Sequence, residues 1–207
     1  MSEIQVHPKH YIGLSYDTKK RFISYWHQLE AIYQTKFRKV LEIGVGNGFV
    51  SKYLEDHDFD ISTLDIDERL TPTKVGSILD IPFGDNTFNV VTCFEVLEHL
   101  PFDQVPKAIK ELKRVSSDKI IISLPDRTLC YKLAVKLPVI KDRKWMISVP
   151  RLLAKPHSFE GQHYWELGKK SYPVSRFKQL LEQEGLSIQS SYRIYEVPSH
   201  HFFVLNV

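Results

Sequence analysis

Between residues 38 and 125 the spacing of apolar residues switches repeatedly between two periods, and few folds accommodate that alternation. Residues 39–45 (KVLEIGV) are a short apolar run leading into glycines, and 48–57 return to helical spacing through Val50, Tyr53 and Leu54. Residues 60–66, 75–79 and 88–94 read as three further strands. Val105, Ala108, Ile109, Leu112 and Val115 mark a helix, and 119–124 (KIIISL) form a strand stopped by Pro125. Strands alternating with helices require right-handed crossovers and a parallel sheet covered on both faces.

The flanks complete the pattern. Residues 18–37 predict an amphipathic helix burying Phe22, Ile23, Trp26, Leu29, Ile32 and Tyr33. Val174, Phe177, Leu180 and Leu181 mark another, with Pro173 near its start and Gly185 placed to end it. The runs 187–197 and 201–207 are joined too closely for a parallel crossover, so they pair antiparallel. The expected fold is α/β and Rossmann-like: a mostly parallel seven-stranded sheet, helices on both faces, and a C-terminal antiparallel hairpin. One domain is expected over 1–207, with an inserted cap at about 126–170.

That cap carries Lys132, Lys136, Lys141, Arg143, Lys144, Arg151 and Lys155 among apolar residues. A run of this kind, 132–155, is first of all the solvated face of a lid helix. Docking on an anionic membrane, or admission of an acidic substrate, is the functional alternative. Elsewhere the charge is balanced: a net +3 over 207 residues does not by itself imply nucleic acid. Two cysteines make neither a disulfide framework nor a metal knuckle. The polar N-terminus and the lack of a long apolar run lead us to expect a cytoplasmic protein.

The chemistry-bearing signal is Glu42-Ile-Gly44-Val-Gly46-Asn47-Gly48, which leaves a strand and enters a helix. Glycines let the backbone turn sharply and approach a ligand, and the helix start offers free N–H groups. A purely structural strand–turn–helix loop would use glycines too. Asp65 and Ile66 end the second strand, where a carboxylate can accept from both hydroxyls of a ribose; capping of the next turn by Asp65 or Asp67 is the plainer reading. Asp80 and the Ile81 N–H are placed to meet an adenine, although Pro82 and the Gly84-Asp85-Asn86 cluster would also make a β-turn.

Taken together, these elements resemble the class I S-adenosylmethionine-dependent methyltransferases, closely over 38–125 and more loosely over 171–207. The resemblance implies that the Glu42–Gly48 loop holds the methionine part of S-adenosylmethionine, Asp65 the ribose and Asp80 the adenine. Phe94 and Glu95 would lie beside the methyl group. The Glu95-x-x-Glu98-His99 turn is similar to quinone-pathway O-methyltransferases and to bacterial small-RNA 2′-O-methyltransferases. In the latter, the resemblance implies a divalent metal held by Glu95, Glu98, His99 and a later histidine, His163 or in its place His157. His99, Glu98 and His163 are also the candidates for acid–base work, and packing or substrate positioning is the metal-free alternative. Tyr11, Tyr16, Tyr164, Trp165 and Tyr172 are candidate pocket aromatics.

The expected function is therefore methyl transfer to a small molecule, at oxygen. RNA methylation, an NAD-dependent oxidoreductase and a non-catalytic subunit retaining the fold are the alternatives. The oxidoreductase predicts two residues between its second and third glycines, where this chain has one.

Overall fold

Residues 39–43 carry Val40, Leu41 and Ile43, and every position but Lys39 is buried, the signature of an inner strand covered on both faces. The computed structural model describes residues 4, 6–137, 140–149 and 154–207; Arg151 and the side chain of Lys141 lie outside them. In chain order the strands are β1 (Lys39–Ile43), β2 (Asp60–Asp65), β3 (Lys74–Val75), β4 (Phe88–Phe94), β5 (Ser116–Pro125), β6 (Cys130–Leu137), β7 (Ile140–Ser148), β8 (Ser187–Arg193) and β9 (His200–Asn206). The helices are α1 (Lys19–Gln34), α2 (Phe49–Glu55), α3 (Val105–Val115) and α4 (Val174–Gln183). Seven strands form one sheet in the order β3-β2-β1-β4-β5-β9-β8. β1 through β5 pair in parallel, and β9 runs antiparallel to both β5 and β8.

Alternate residues of each central strand feed two cores. Val91, Ile120 and Ile122 pack with Leu112 of α3 and Phe177 and Leu181 of α4 on one face. Val90 and Ile121 pack with Ile32 of α1 and Val50 and Leu54 of α2 on the other. Most of these side chains are wholly inaccessible to water, each stabilising the fold by roughly 1.5–3 kcal/mol. No helix among the described residues is long and apolar enough to cross a membrane.

Three expectations need correction. The buried face of α1 consists of Ser24, Tyr25, Gln28, Ala31 and Ile32, whereas Phe22, Trp26 and Tyr33 are exposed. Phe22 and Tyr33 make edge contacts to Phe49 and Phe59 at the helix margin, which leaves their outer faces in water. β3 is two residues long and ends at Val75, not at residue 79. There the Ser77 hydroxyl accepts from the Leu79 N–H at 3.1 Å, replacing a ladder bond with a local turn. The cap, finally, contains no lid helix among its described residues. Cys130–Leu137 and Ile140–Ser148 pair as an antiparallel hairpin, because Tyr131, Leu133 and Val135 alternate with Lys132, Ala134 and Lys136 at period two.

Candidate active site

Parallel strands bring their carboxyl ends to one edge, and the order of the sheet reverses direction at β1. Ligands of open α/β sheets bind in the crevice at such a switch point. A cavity lies there, lined by Glu42 at the end of β1 with Gly44, Gly46 and Asn47 beyond it, by Asp65 at the end of β2 with Ile66, and by Phe94 at the end of β4 with Glu95, His99 and Leu100. The backbone explains the glycines: Gly44 has φ +84°, and a Cβ on it would lie 2.5 Å from the Val96 side chain. Gly46 has φ +57°, with the Tyr16 hydroxyl over it.

Two carboxylates sit at the floor and rim. Asp65 accepts from the Val45 N–H at 2.8 Å through Oδ2 and from the Asp67 N–H at 2.9 Å through Oδ1. Each oxygen keeps a second lone pair for a ligand hydroxyl. Glu42 is buried, and its Oε2 has no hydrogen-bond partner among the described residues. Burial is the main reason its carboxyl is pushed up to about 8, with Asp65 adding to it and hydrogen bonds from Ser51 opposing. An orphaned acceptor lining a cavity fits a ligand that brings a cationic donor, as the ammonium of S-adenosylmethionine would.

The N-terminal segment roofs the hollow. Tyr11 and Tyr16 line it, their rings 5.2 Å apart edge to face, with the Arg21 guanidinium 4.3 Å over Tyr16. Asp17 ties this roof to the floor, accepting from Asn47 Nδ2 at 2.8 Å and from the Tyr25 hydroxyl at 3.2 Å. Burial pushes the Tyr11 phenol up to about 12, so it is neutral. Arg21, Tyr25 and Gln28 also line the cavity, a contribution of α1 that no sequence motif signals.

Some expected ligands of the cofactor do not line the cavity. Gly48 is the left-handed N-cap of α2 instead. Asp80 and Ile81 are drawn elsewhere. The Ile81 N–H donates to Glu111 Oε2 at 2.8 Å, and Arg114 fastens the Ile81 and Phe83 carbonyls to α3. Gly76 and Ile78 reach the cavity in their place. Trp165 is fully buried, donating to the Leu100 carbonyl at 3.1 Å, and Tyr164 and Tyr172 pack on Phe159 and Phe102. None of these three aromatics lines the hollow.

Beside the cavity, ligand atoms of Glu98, His99 and His163 all lie within 4.8 Å of one another. The short helical turn supplying the first two is Leu97–His99. Glu95 precedes it in a left-handed conformation, φ +55°, and its carboxylate accepts from the Ser123 hydroxyl at 2.9 Å. Glu95 is therefore outside the cluster in which it was expected. Glu98 is fully buried with neither carboxylate oxygen hydrogen-bonded among the described residues, and burial, then the Glu95 charge, raises its pKa well above the usual range. Burial, then His163, lowers His99 to about 4, leaving it neutral. His99 Nδ1 meets the Gln162 carbonyl at 3.2 Å, which puts the ring's lone pair on Nε2.

His163 is held in the same way, through Nδ1 to Glu166 Oε1 at 3.1 Å. Glu166 is itself buried and bonds Arg127 Nε at 3.0 Å. Burial works to raise its carboxyl, yet the hydrogen bonds and charges of His163 and Arg127 prevail and hold it at about 2. The role of Glu166 escaped the sequence reading; its signal is a His-x-x-Glu spacing that only the fold turns inward. His157 donates from Nε2 to the His163 carbonyl at 2.9 Å and so supports the loop.

Residues 41–119 match a family model described as a methyltransferase domain. An uncharacterized protein of Methanocaldococcus jannaschii is 36% identical over 86 residues, a match spanning 38% of this chain and 37% of that protein's length. The PH0226 protein of Pyrococcus horikoshii OT3 superposes with a TM-score of 0.63 at 17% identity, over 96% of this chain and 95% of that one. Magnesium protoporphyrin IX methyltransferase from Synechocystis PCC 6803, solved with bound SAH, gives 0.63 at 14% identity, over 90% and 83% of the two chains. At such identities the superpositions carry the fold. That fold, with β9 reversed where a dinucleotide-binding sheet stays parallel, is the class I methyltransferase fold. The 41–119 match runs from β1 into β5, the parallel part of that sheet.

Proposed function

We propose that this chain is an S-adenosylmethionine-dependent methyltransferase that methylates an oxygen of a small molecule. The observation that carries this reading is one hollow lined together by His99, by the oriented Asp65 carboxylate and by a buried Glu42 whose Oε2 has no hydrogen-bond partner among the described residues. When bound, S-adenosylmethionine supplies an activated methyl group, so the protein needs no nucleophile of its own. The chain's residues bind, align and exclude water, which can account for most of the rate. Asp65 fits the two ribose hydroxyls, Glu42 the ammonium, and Tyr11 and Tyr16 close the roof against solvent. Asp65→Ala is expected to weaken S-adenosylhomocysteine binding at least tenfold, about 1.4 kcal/mol, in a calorimetric titration. Unchanged affinity would remove Asp65 from the site.

His99 lines the cavity and can accept the acceptor's proton at Nε2, but an imidazole held near 4 is a weak base for a hydroxyl. The clustering of Glu98, His99 and His163 supports a divalent cation there, which would lower the hydroxyl's own pKa. The donor set fits: a buried carboxylate without a hydrogen-bond partner among the described residues, and two imidazoles each oriented through Nδ1 by an acceptor behind it. We expect manganese or zinc to raise the thermal midpoint of the protein. In Glu98→Gln the metal affinity should fall by more than about a hundredfold, since outer partners alone are worth about 10–100-fold. Equal affinity in both proteins would dispose of the metal without touching the cofactor reading.

A further inference from the structure

The β6–β7 hairpin hangs from Pro125, the carboxyl end of β5, and so projects from the same edge of the sheet as the cavity. Residues directly opposed in an antiparallel pair point to one face. Tyr131 opposes Ile147, Leu133 opposes Trp145, and Val135 opposes Arg143. The other face carries Lys132 and Lys144, whose ammonium groups lie over the Tyr195 ring at 5.5 and 5.3 Å, and Lys144 also pairs with Glu196. The hairpin therefore turns its basic face toward the β8–β9 turn and its apolar face outward. Tyr131 is 74% exposed, Ile147 60% and Leu133 53%. An apolar group of this size held in water is uncommon on a protein that does nothing with it.

We propose that this outward face docks on an anionic membrane surface. Charge selects the occupant. Residues 130–148 carry Lys132, Lys136, Lys141, Arg143 and Lys144 against one acid, Asp142. A second copy of the hairpin would bring these like charges together, whereas acidic headgroups would neutralise them. The aromatics fit as well: Trp145 and Tyr131 join apolar rings to polar tips, the combination that settles at a lipid–water interface. Leu133 and Ile147 between them enter the acyl boundary, with Arg143 of the same face reaching back to phosphates and exposed Lys136, at the register shift near the hairpin tip, joining it from the edge. Docking in this way sets the cavity's edge of the sheet toward the bilayer.

Cosedimentation with vesicles tests this without cofactor or turnover, so its failure leaves the methyltransferase reading intact. The intact chain should bind phosphatidylcholine vesicles containing phosphatidylserine, and bind pure phosphatidylcholine at least about tenfold more weakly. Raised salt should release it. Leu133→Ser/Trp145→Ser and, separately, Lys136→Gln/Arg143→Gln should each lose about tenfold or more; all four side chains are exposed, so the thermal midpoint should stay put. The proposal fails if the intact chain ignores the mixed vesicles, or if the double serine variant binds them equally well. It fails also if Leu133→Ser/Trp145→Ser dissolves a dimer in solution, which would make the face a contact between copies. Salt-sensitive retention by RNA in place of vesicles would overturn it as well.

Discussion

Asp126→Ala should lower stability by about 3–5 kcal/mol, because it strips the partner from buried charge. Asp126 is 2% exposed, yet it accepts from His201 Nδ1 at 2.9 Å and from the Thr128 N–H at 2.8 Å, and it forms an ion pair with Arg193, whose Nε lies 3.5 Å away and donates to the Pro198 carbonyl. Burial alone would raise its carboxyl; the hydrogen bonds of His201 and Thr128 and the Arg193 charge hold it below its ordinary value instead. Because a carboxylate only accepts, His201 donates from Nδ1, and its Nε2 takes the Ser191 hydroxyl at 2.8 Å. Arg193 closes the knot by donating to the Thr128 carbonyl at 2.7 Å. The network binds the root of the cap to β8 and β9, so its loss unpins the hairpin as well as the sheet edge.

Ser191→Ala removes only an outer hydrogen bond and should cost about 1 kcal/mol. Asp126→Asn should fall between the two, keeping the shape but not the charge. At about 2–4 °C per kcal/mol for a chain of this size, the alanine variant should melt roughly 6–20 °C lower. A thermal midpoint within a degree or two of the parent would show that the knot is ornamental.

The sheet was legible because its signals are local and redundant. Residues 39–43, 88–94 and 119–124 are apolar runs bounded by turn residues, and the too-short link at 198–200 left β8 and β9 no alternative to antiparallel pairing. Asp65 and Glu42 could be placed because a strand end fixes which edge a residue serves. Asp80 could not, since its position depends on Arg114 and Glu111, some 30 residues along on α3, clamping the 81–83 backbone. All three residues of the Glu98–His99–His163 cluster could be named, His163 through the family resemblance alone. The turn after β4 announces the first pair, but only the Trp165 anchor and the Tyr164 N–H donated to the Glu98 carbonyl at 2.8 Å bring His163 across. The hairpin was misread for a different reason. Its lysines drew attention to charge, while the alternation of Tyr131, Leu133 and Val135 carried the structure.

Glu42→Gln should level a slope in the stability of the parent protein between pH 4.5 and 8. In the unfolded chain this carboxyl titrates near 4.5, whereas burial holds it at about 8 in the fold. Across that window the folded protein keeps a proton that the unfolded chain has lost. The stabilisation is complete below 4.5, drains away as pH rises, and is gone above about 8. The full span is on the order of 5 kcal/mol, from 1.36 kcal/mol for each pKa unit. Glutamine copies the neutral acid without its proton, so the variant should match the parent at low pH and exceed it by several kcal/mol above pH 8. Urea midpoints of both proteins across this range are the measurement, and parallel profiles would mean that Glu42 is already ionised in the fold. The same proton offers a check on the ligand. An ammonium seated against Glu42 Oε2 would draw the carboxyl back to its charged form, so S-adenosylhomocysteine should release a proton at neutral pH. That release would appear as a dependence of the calorimetric heat on buffer ionisation enthalpy, present in the parent and absent in Glu42→Gln.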